Sequence, residues 1–167
     1  MPKRALRQIY NQSSKVQIIN LSNLRTGVGV DAHKFANDGI CKLAGLEWSE
    51  AKRLDGHSDG DVAAHAICDA LLSAANLGDL GSNFGVSDPK YAGASGATLL
   101  AETLYKINSA GFEIQNVAVQ IVGNRPKIGP RRAEAIAARI RTQGFPNYYG
   151  TQRFGRGGET LQLGLDL

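Results

Sequence analysis

Three side chains in this sequence have the types and spacing of a metal site. Asp31 and His33 stand two residues apart, and on an extended segment both point to the same side. His65 follows within a run that reads as a helix. One carboxylate and two imidazoles make three protein ligands with a fourth position open, the form of a catalytic zinc site. Asp69, one turn beyond His65, is placed to accept the second ring N–H of that histidine. A D-x-H pair alone also fits a polar turn, and a single histidine on an apolar helix also fits a core position. The metal reading gains weight because all three histidines, His33, His57 and His65, fall in two short segments rich in Gly and Asp.

The run G-H-S-D-G-D at Gly56 to Asp61 supplies an imidazole, a hydroxyl and two carboxylates at the start of that helix. Its free N–H groups favour anions. Ser58 is expected to cap the helix, with Asp61 three residues on as its capping-box partner. A well-capped helix and a ligand-facing His57 are compatible.

The elements that must position these groups follow from periodicity and breakers. Thr26 to Val30 reads as a short strand leading into Asp31, and Ile40 to Trp48 as a hairpin strand. The first helix runs through Val62, Ala66, Ala70, Leu71 and Ala74 and is expected to stop at Gly78. Gly96 to Ser109 fits a second helix, and Phe112 to Val122 alternates as a strand with one apolar face. A loop from Gly123 to Gly129 precedes Pro130, which opens a third helix, and Thr160 to Leu165 could close the sheet. These elements predict an α+β two-layer sandwich, a mixed sheet covered by helices.

Composition sets the limits. A chain of 167 residues with 43% hydrophobic and 20% charged content suits one globular domain with its own core. No apolar run approaches the ~20 residues of a membrane span, so no membrane partner is expected. Cys41 and Cys68 form no C-x-x-C pair and read as buried thiols. The net charge of +4 hides a division. Residues 1–30 carry Lys3, Arg4, Arg7, Lys15 and Arg25 and no acid, residues 31–124 are acidic, and residues 125–156 hold Glu134 as their one acid. Residues 1–25 therefore read as a basic, disordered leader, with a transit peptide or the remnant of a fused protein as alternatives. That makes the expected location cytoplasmic, or plastid if the leader is a transit peptide. Residues 26–167 read as a single domain.

The longest motifs resemble those of the 2-C-methyl-D-erythritol 2,4-cyclodiphosphate synthases. They are G-V-G-V-D-A-H-K-F at Gly27 to Phe35, the run from Leu54 to Gly81, F-G-V-S-D-P-K-Y at Phe84 to Tyr91, and N-R-P-K-I-G-P-R-R at Asn124 to Arg132. Together they span about residues 26–140. The resemblance implies a homotrimer with active sites between subunits, and zinc held by Asp31, His33 and His65. It implies that His57 and Ser58 act at the substrate's phosphate and methylerythritol portion. Asp79, Gly81, Phe84, Ser87 and Asp88 would enclose the methylerythritol group. Asn124, Arg125, Pro126, Lys127, Ile128 and Gly129 would hold the cytosine. A second divalent cation, magnesium or manganese, would join the diphosphate. The implied reaction turns 4-diphosphocytidyl-2-C-methyl-D-erythritol 2-phosphate into the cyclic diphosphate and CMP.

The last residues, 141–167, depart from the pattern. The family's paired threonines are missing around Thr151, while Phe154, Gly155, Arg156 and Glu159 echo its G-R-G-E element with altered spacing. Arg156 is kept as a substrate contact on that echo. The run N-Y-Y-G-T-Q-R-F-G-R at Asn147 to Arg156 resembles a motif of the D-class tRNA pseudouridine synthases, whose G-x-K-D element is absent. A degenerate family ending is the competing reading. The expected consequence is a lost strand, and zinc binding better preserved than turnover. Two other functions fit the sequence less well: a non-catalytic, metal-loaded trimer that binds CDP, and a basic RNA-binding module at residues 125–156, nucleic acid being the less expected partner.

Overall fold

The computed structural model of the chain describes residues 24–56, 58–85, 88–143, 149–155 and 158–164. Strands β1 (Phe35–Leu43) and β2 (Leu46–Leu54) form an antiparallel hairpin. Its two-residue turn is Ala44–Gly45, with φ of 52° and 77°. Positive φ at both positions is the turn geometry that matches strand twist. The expected strand from Ile40 to Trp48 is therefore a hairpin folded at its middle.

Helix α1 (Val62–Ala75) follows, capped by Asp61, whose side chain accepts the Ala64 N–H. The expected Ser58 cap is thus corrected: the cap lies three positions later, where the carboxylate of Asp61, adjacent to the first turn, reaches the free amide, and the Ser58 hydroxyl is engaged elsewhere. The helix stops earlier than Gly78. Asn76 adopts the left-handed conformation, and Leu77 donates back to the Leu72 carbonyl at 2.9 Å. A short helix α2 (Leu80–Asn83) and a 3-10 turn at Pro89–Tyr91 lead to α3 (Gly96–Ser109), which has the predicted bounds and is capped by Ser95. A Cβ on Gly96 would press on Ala64 and Asp61, so glycine lets α3 cross the start of α1 closely.

Strand β3 (Val119–Gly123) is shorter than the alternation predicted, because residues 112–118 make no ladder. A 3-10 turn at Gly129–Arg131 opens α4 (Arg132–Gln143), with Pro130 in its predicted place at the helix entrance. Strands β4 (Tyr149–Gly155) and β5 (Gly158–Gly164) complete a three-stranded sheet in the order β3-β5-β4. The expected closing strand is present as β5, and the 147–156 run supplies the edge strand β4. Membership of β4 in the sheet that holds β3 gives no support to a motif from a different fold.

The chain is α+β, and the expectation of a mixed sheet is corrected. All strand pairings among the described residues are antiparallel, in two separate sheets. The β1–β2 and β4–β5 connections are two residues long, enough for a hairpin and too short for a parallel crossover. One continuous core joins Trp48, Cys41 and Leu43 of the hairpin to Leu72 and Cys68 of α1, Leu100 of α3 and Val119 of β3. Both cysteines are buried, as expected. No helix among the described residues is long and apolar enough to cross a membrane.

Candidate metal centre and cavity

The segment carrying Asp31 and His33 makes no strand ladder, contrary to the strand expected at Thr26 to Val30. It is held by close approach to α1 instead. A Cβ on Gly27 would lie 2.7 Å from the Ala74 nitrogen, and one on Gly29 would lie 2.6 Å from the Ala70 nitrogen. Alternation puts these glycines against the helix and leaves Val28 and Val30 outward, 82% and 81% exposed. The segment thus brings Asp31 beside His65, which α1 presents from its buried face.

The three expected ligands meet. Oδ2 of Asp31 lies 2.9 Å from His33 Nε2 and 2.9 Å from His65 Nδ1. The ligand atoms of the three residues all fall within 4.8 Å of one another. The two rings are tilted, with centroids 5.3 Å apart. Gly56 makes room for the first of them, since a Cβ there would stand 2.6 Å from His33 Cε1. Two imidazole nitrogens and a carboxylate oxygen converging on one point suit a divalent ion of borderline softness such as zinc.

The partner expected for the second nitrogen of His65 is corrected. Asp69 accepts the Leu80 amide at 2.7 Å and so ties α1 to α2. The nitrogen is met by Ser58, whose Oγ lies 2.7 Å from His65 Nε2. Asp69 is claimed by an unpaired helix-start amide that has no intrahelical acceptor.

A cavity of about 730 Å³ opens over the cluster. Of the expected site residues it is lined by Asp31, His33, Ser58, His65, Asp79, Gly81 and Phe84. The Asp79 carboxylate caps α2, and the amide and then the hydroxyl of Ser82 hold it below the usual carboxylate range. Asp88 does not line the cavity; it caps the 3-10 turn by accepting the Lys90 amide at 2.9 Å. Tyr91 does line it, with its ring edge-on to Phe84 at 4.9 Å. Its place at the end of F-G-V-S-D-P-K-Y was the available signal. Lys34 and Asp55 also line it, paired at 3.5 Å; both fall inside the quoted motifs, at Gly27 to Phe35 and Leu54 to Gly81, but were not singled out as site residues. His57, Ser87 and Arg156 lie outside the described residues, as does the leader apart from Leu24 and Arg25.

Asn124 to Gly129 do not line this cavity. Pro126 and Ile128 are buried while Asn124, Arg125 and Lys127 are exposed. The neighbouring Arg131 anchors the segment to β2, donating to the Glu47 carbonyl at 2.6 Å and stacking over the Trp48 ring at 4.6 Å. The expected site therefore falls into two parts within one chain.

Comparison with known proteins gives a consistent answer. A sequence profile described as the YgbB family matches residues 24–143. The 2-C-methyl-D-erythritol 2,4-cyclodiphosphate synthase of Cutibacterium acnes is 53% identical over 124 residues, covering 74% of each chain. That of Acidothermus cellulolyticus is 49% identical over 122 residues, covering 73% of this chain and 76% of that protein. A solved structure of a 2C-methyl-D-erythritol-2,4-cyclodiphosphate synthase in its CDP-bound form superposes with a TM-score of 0.68 at 27% identity. It covers 85% of this chain and 99% of that one.

Proposed function

This chain belongs to the YgbB family, and from that membership and its Asp31–His33–His65 cluster we infer that it is a 2-C-methyl-D-erythritol 2,4-cyclodiphosphate synthase of the methylerythritol phosphate pathway. The observation that carries the reading is the convergence of the three ligand atoms at the floor of a cavity large enough for the substrate's phosphates.

The reaction needs no protein nucleophile. The 2-phosphate oxygen of 4-diphosphocytidyl-2-C-methyl-D-erythritol 2-phosphate attacks the β-phosphorus. The bond from that phosphorus to the bridging oxygen breaks, and CMP leaves with the oxygen. The protein's work is positioning and charge neutralisation. Zinc bound to Asp31, His33 and His65 would supply Lewis acidity toward the β-phosphate, with a magnesium or manganese ion alongside on the diphosphate. Asp79, Gly81 and Phe84 wall the side of the cavity and exclude water around the methylerythritol group. Ser58 lines the cavity at the helix entrance and would contact the phosphates; His57 is proposed as the second catalytic residue on the strength of the G-H-S-D-G-D motif. Ser87, Asp88 and Arg156 complete the substrate contacts on the strength of the sequence motifs.

The assembly proposed is a homotrimer. The separation of Asn124–Gly129 from the cavity supports a site completed by a neighbouring subunit's cytosine loop. Val28, Val30 and Val122, 82%, 81% and 74% exposed, are among the large apolar side chains that such an interface would cover.

Zinc content and CMP release measured on one preparation test the reading. One zinc per chain with CMP release from the cytidyl substrate is expected. A zinc-loaded protein that binds CDP and releases no CMP would reduce the function to nucleotide binding.

A further inference from the structure

We propose that Lys34 determines specificity for a substrate carrying the 2-phosphate, by exchanging its partner Asp55 for that phosphate when the substrate enters the cavity. This role rests on the synthase reading of the cavity. It gives the 2-phosphate a cationic partner, and it gives the Lys34–Asp55 pair a function.

The charge lining the cavity is one-sided. Asp31, Asp55, Asp69 and Asp79 line it, and Lys34 is the one lysine or arginine among the described lining residues. Three of those carboxylates are engaged elsewhere. Asp31 faces His33 and His65 at 2.9 Å, while Asp69 accepts the Leu80 amide and Asp79 the Ser82 amide, each at 2.7 Å. The fourth, Asp55, lies 3.5 Å from the Lys34 ammonium. A substrate with a diphosphate and a further phosphate brings several negative charges to this lining. Metal ions on the cluster and the diphosphate would offset the charge there, which leaves the 2-phosphate to the protein's own cations. Lys34 follows His33 directly in the chain, so its backbone is fixed beside the metal cluster.

The exchange costs little. The side chains of Lys34 and Asp55 are 82% and 46% exposed, and an ion pair so open to water is weak. The ammonium rides on a flexible four-carbon stem and can swing while its backbone stays in place. That backbone is held by the Asp55 amide, which donates to the Lys34 carbonyl at 2.9 Å. Asp55 is not stranded by the move, because the Arg53 guanidinium stands 4.0 Å from its other oxygen, Oδ1. In the empty cavity the carboxylate is thus shared between two cations. With the substrate bound, Arg53 keeps the carboxylate and Lys34 turns to the phosphate. A ligand without the 2-phosphate leaves the Lys34–Asp55 pair as it is, so Lys34 separates the two ligands.

The test uses the full chain loaded with zinc and magnesium. CMP release gives kcat and KM for 4-diphosphocytidyl-2-C-methyl-D-erythritol 2-phosphate. Calorimetry gives the Kd of 4-diphosphocytidyl-2-C-methyl-D-erythritol, which lacks the attacking phosphate and does not react. Lys34→Met should raise KM roughly tenfold, the scale of one lost hydrogen bond to a charged group, with kcat within about twofold. Its Kd for the ligand without the 2-phosphate should stay within about twofold of wild type, because no contact is lost there. Lys34→Arg, which keeps the charge, should restore most of the KM. Asp55→Asn, which frees Lys34, should lower KM about threefold, the scale of a surface ion pair. An unchanged KM in Lys34→Met overturns the proposal. So does an equal loss for both ligands, which would mean a general field at the cavity mouth. A KM not lowered in Asp55→Asn overturns the exchange. A zinc-loaded wild type that releases no CMP overturns the synthase reading, whereas wild-type turnover with no discrimination by Lys34 overturns this role alone.

Discussion

The carboxylate of Asp61 accepts the backbone amide of Ala44 at 2.9 Å, across a sequence separation of 17 residues. The same side chain accepts Gly45 at 2.8 Å and Ala64 at 3.2 Å, and it is 2% exposed. One buried carboxylate thus ties the hairpin turn to the start of the helix that carries His65. The G-H-S-D-G-D run contains both a cavity-facing residue and this structural clasp.

Asp61→Ala should be among the most destabilising single changes outside the apolar core. It strands the buried amides of Ala44 and Ala64, at about 2 kcal/mol in sum if each unmet buried donor costs ~1 kcal/mol, while the amide of the exposed Gly45 can turn to water. A drop in melting temperature of roughly 4–8 °C is expected from ~2–4 °C per kcal/mol. A shift under about 2 °C in scanning calorimetry would contradict the clasp.

Gly29→Ala should damage the metal centre without touching a ligand. The added methyl would meet the Ala70 nitrogen at 2.6 Å and Asp69 Cβ at 2.8 Å, so the segment must lift off α1 and carry Asp31 with it. Zinc affinity should fall at least tenfold, in the range for displaced ligand support. The helical signal in far-UV circular dichroism should be preserved.

Arg131 holds the entrance of α4 against the hairpin by stacking on Trp48 and pairing with Glu134 through two bonds of 2.8 Å. Arg131→Ala should lower the melting temperature by roughly 3 °C. Arg131→Lys should rescue little, because an ammonium cannot stack and pair in that forked geometry. Trp48 is the single tryptophan and is fully buried, so its fluorescence reports the transition directly.

Alkaline pH should weaken the fold through Cys41. Burial, then the charges of Asp61 and Glu50, push its thiol up to about 11 from its ordinary 9.0. Below 9.0 the thiol is protonated folded and unfolded, and its environment costs nothing. Between 9.0 and about 11 the unfolded chain sheds the proton more readily, so stability declines through that window. Urea midpoints measured from pH 8 upward should fall in the wild type and fall less in Cys41→Ala. Thiol reagents should label Cys41 slowly at pH 8 in the folded protein.

Much of the site was legible from residue types and motifs. Asp31, His33 and His65 were named as candidate ligands from their residue types together with the motifs around them, since the D-x-H pair alone fits a polar turn and His65 alone fits a core position. The bounds of α3 were legible because Ser95, the apolar period and Ala110-Gly111 are all local signals. Strand lengths were less so. Phe112 to Val122 alternates throughout, yet only Val119–Gly123 finds a partner, and that partner is β5, about forty residues further along the chain.

Local chemistry, then, determined which residues could act, since a cap, a turn or a ligand type is a property of a few neighbouring residues. Which donor meets which acceptor was decided by the folded chain. Asp69 was the expected partner of His65, and Ser58 was expected to cap the helix. The fold gave Asp69 to the Leu80 amide, 11 residues away in sequence, and Ser58 to the imidazole. Short-range spacing does not encode that choice, because it depends on how α2 packs back on α1, and on a helix-start amide that had to find an acceptor.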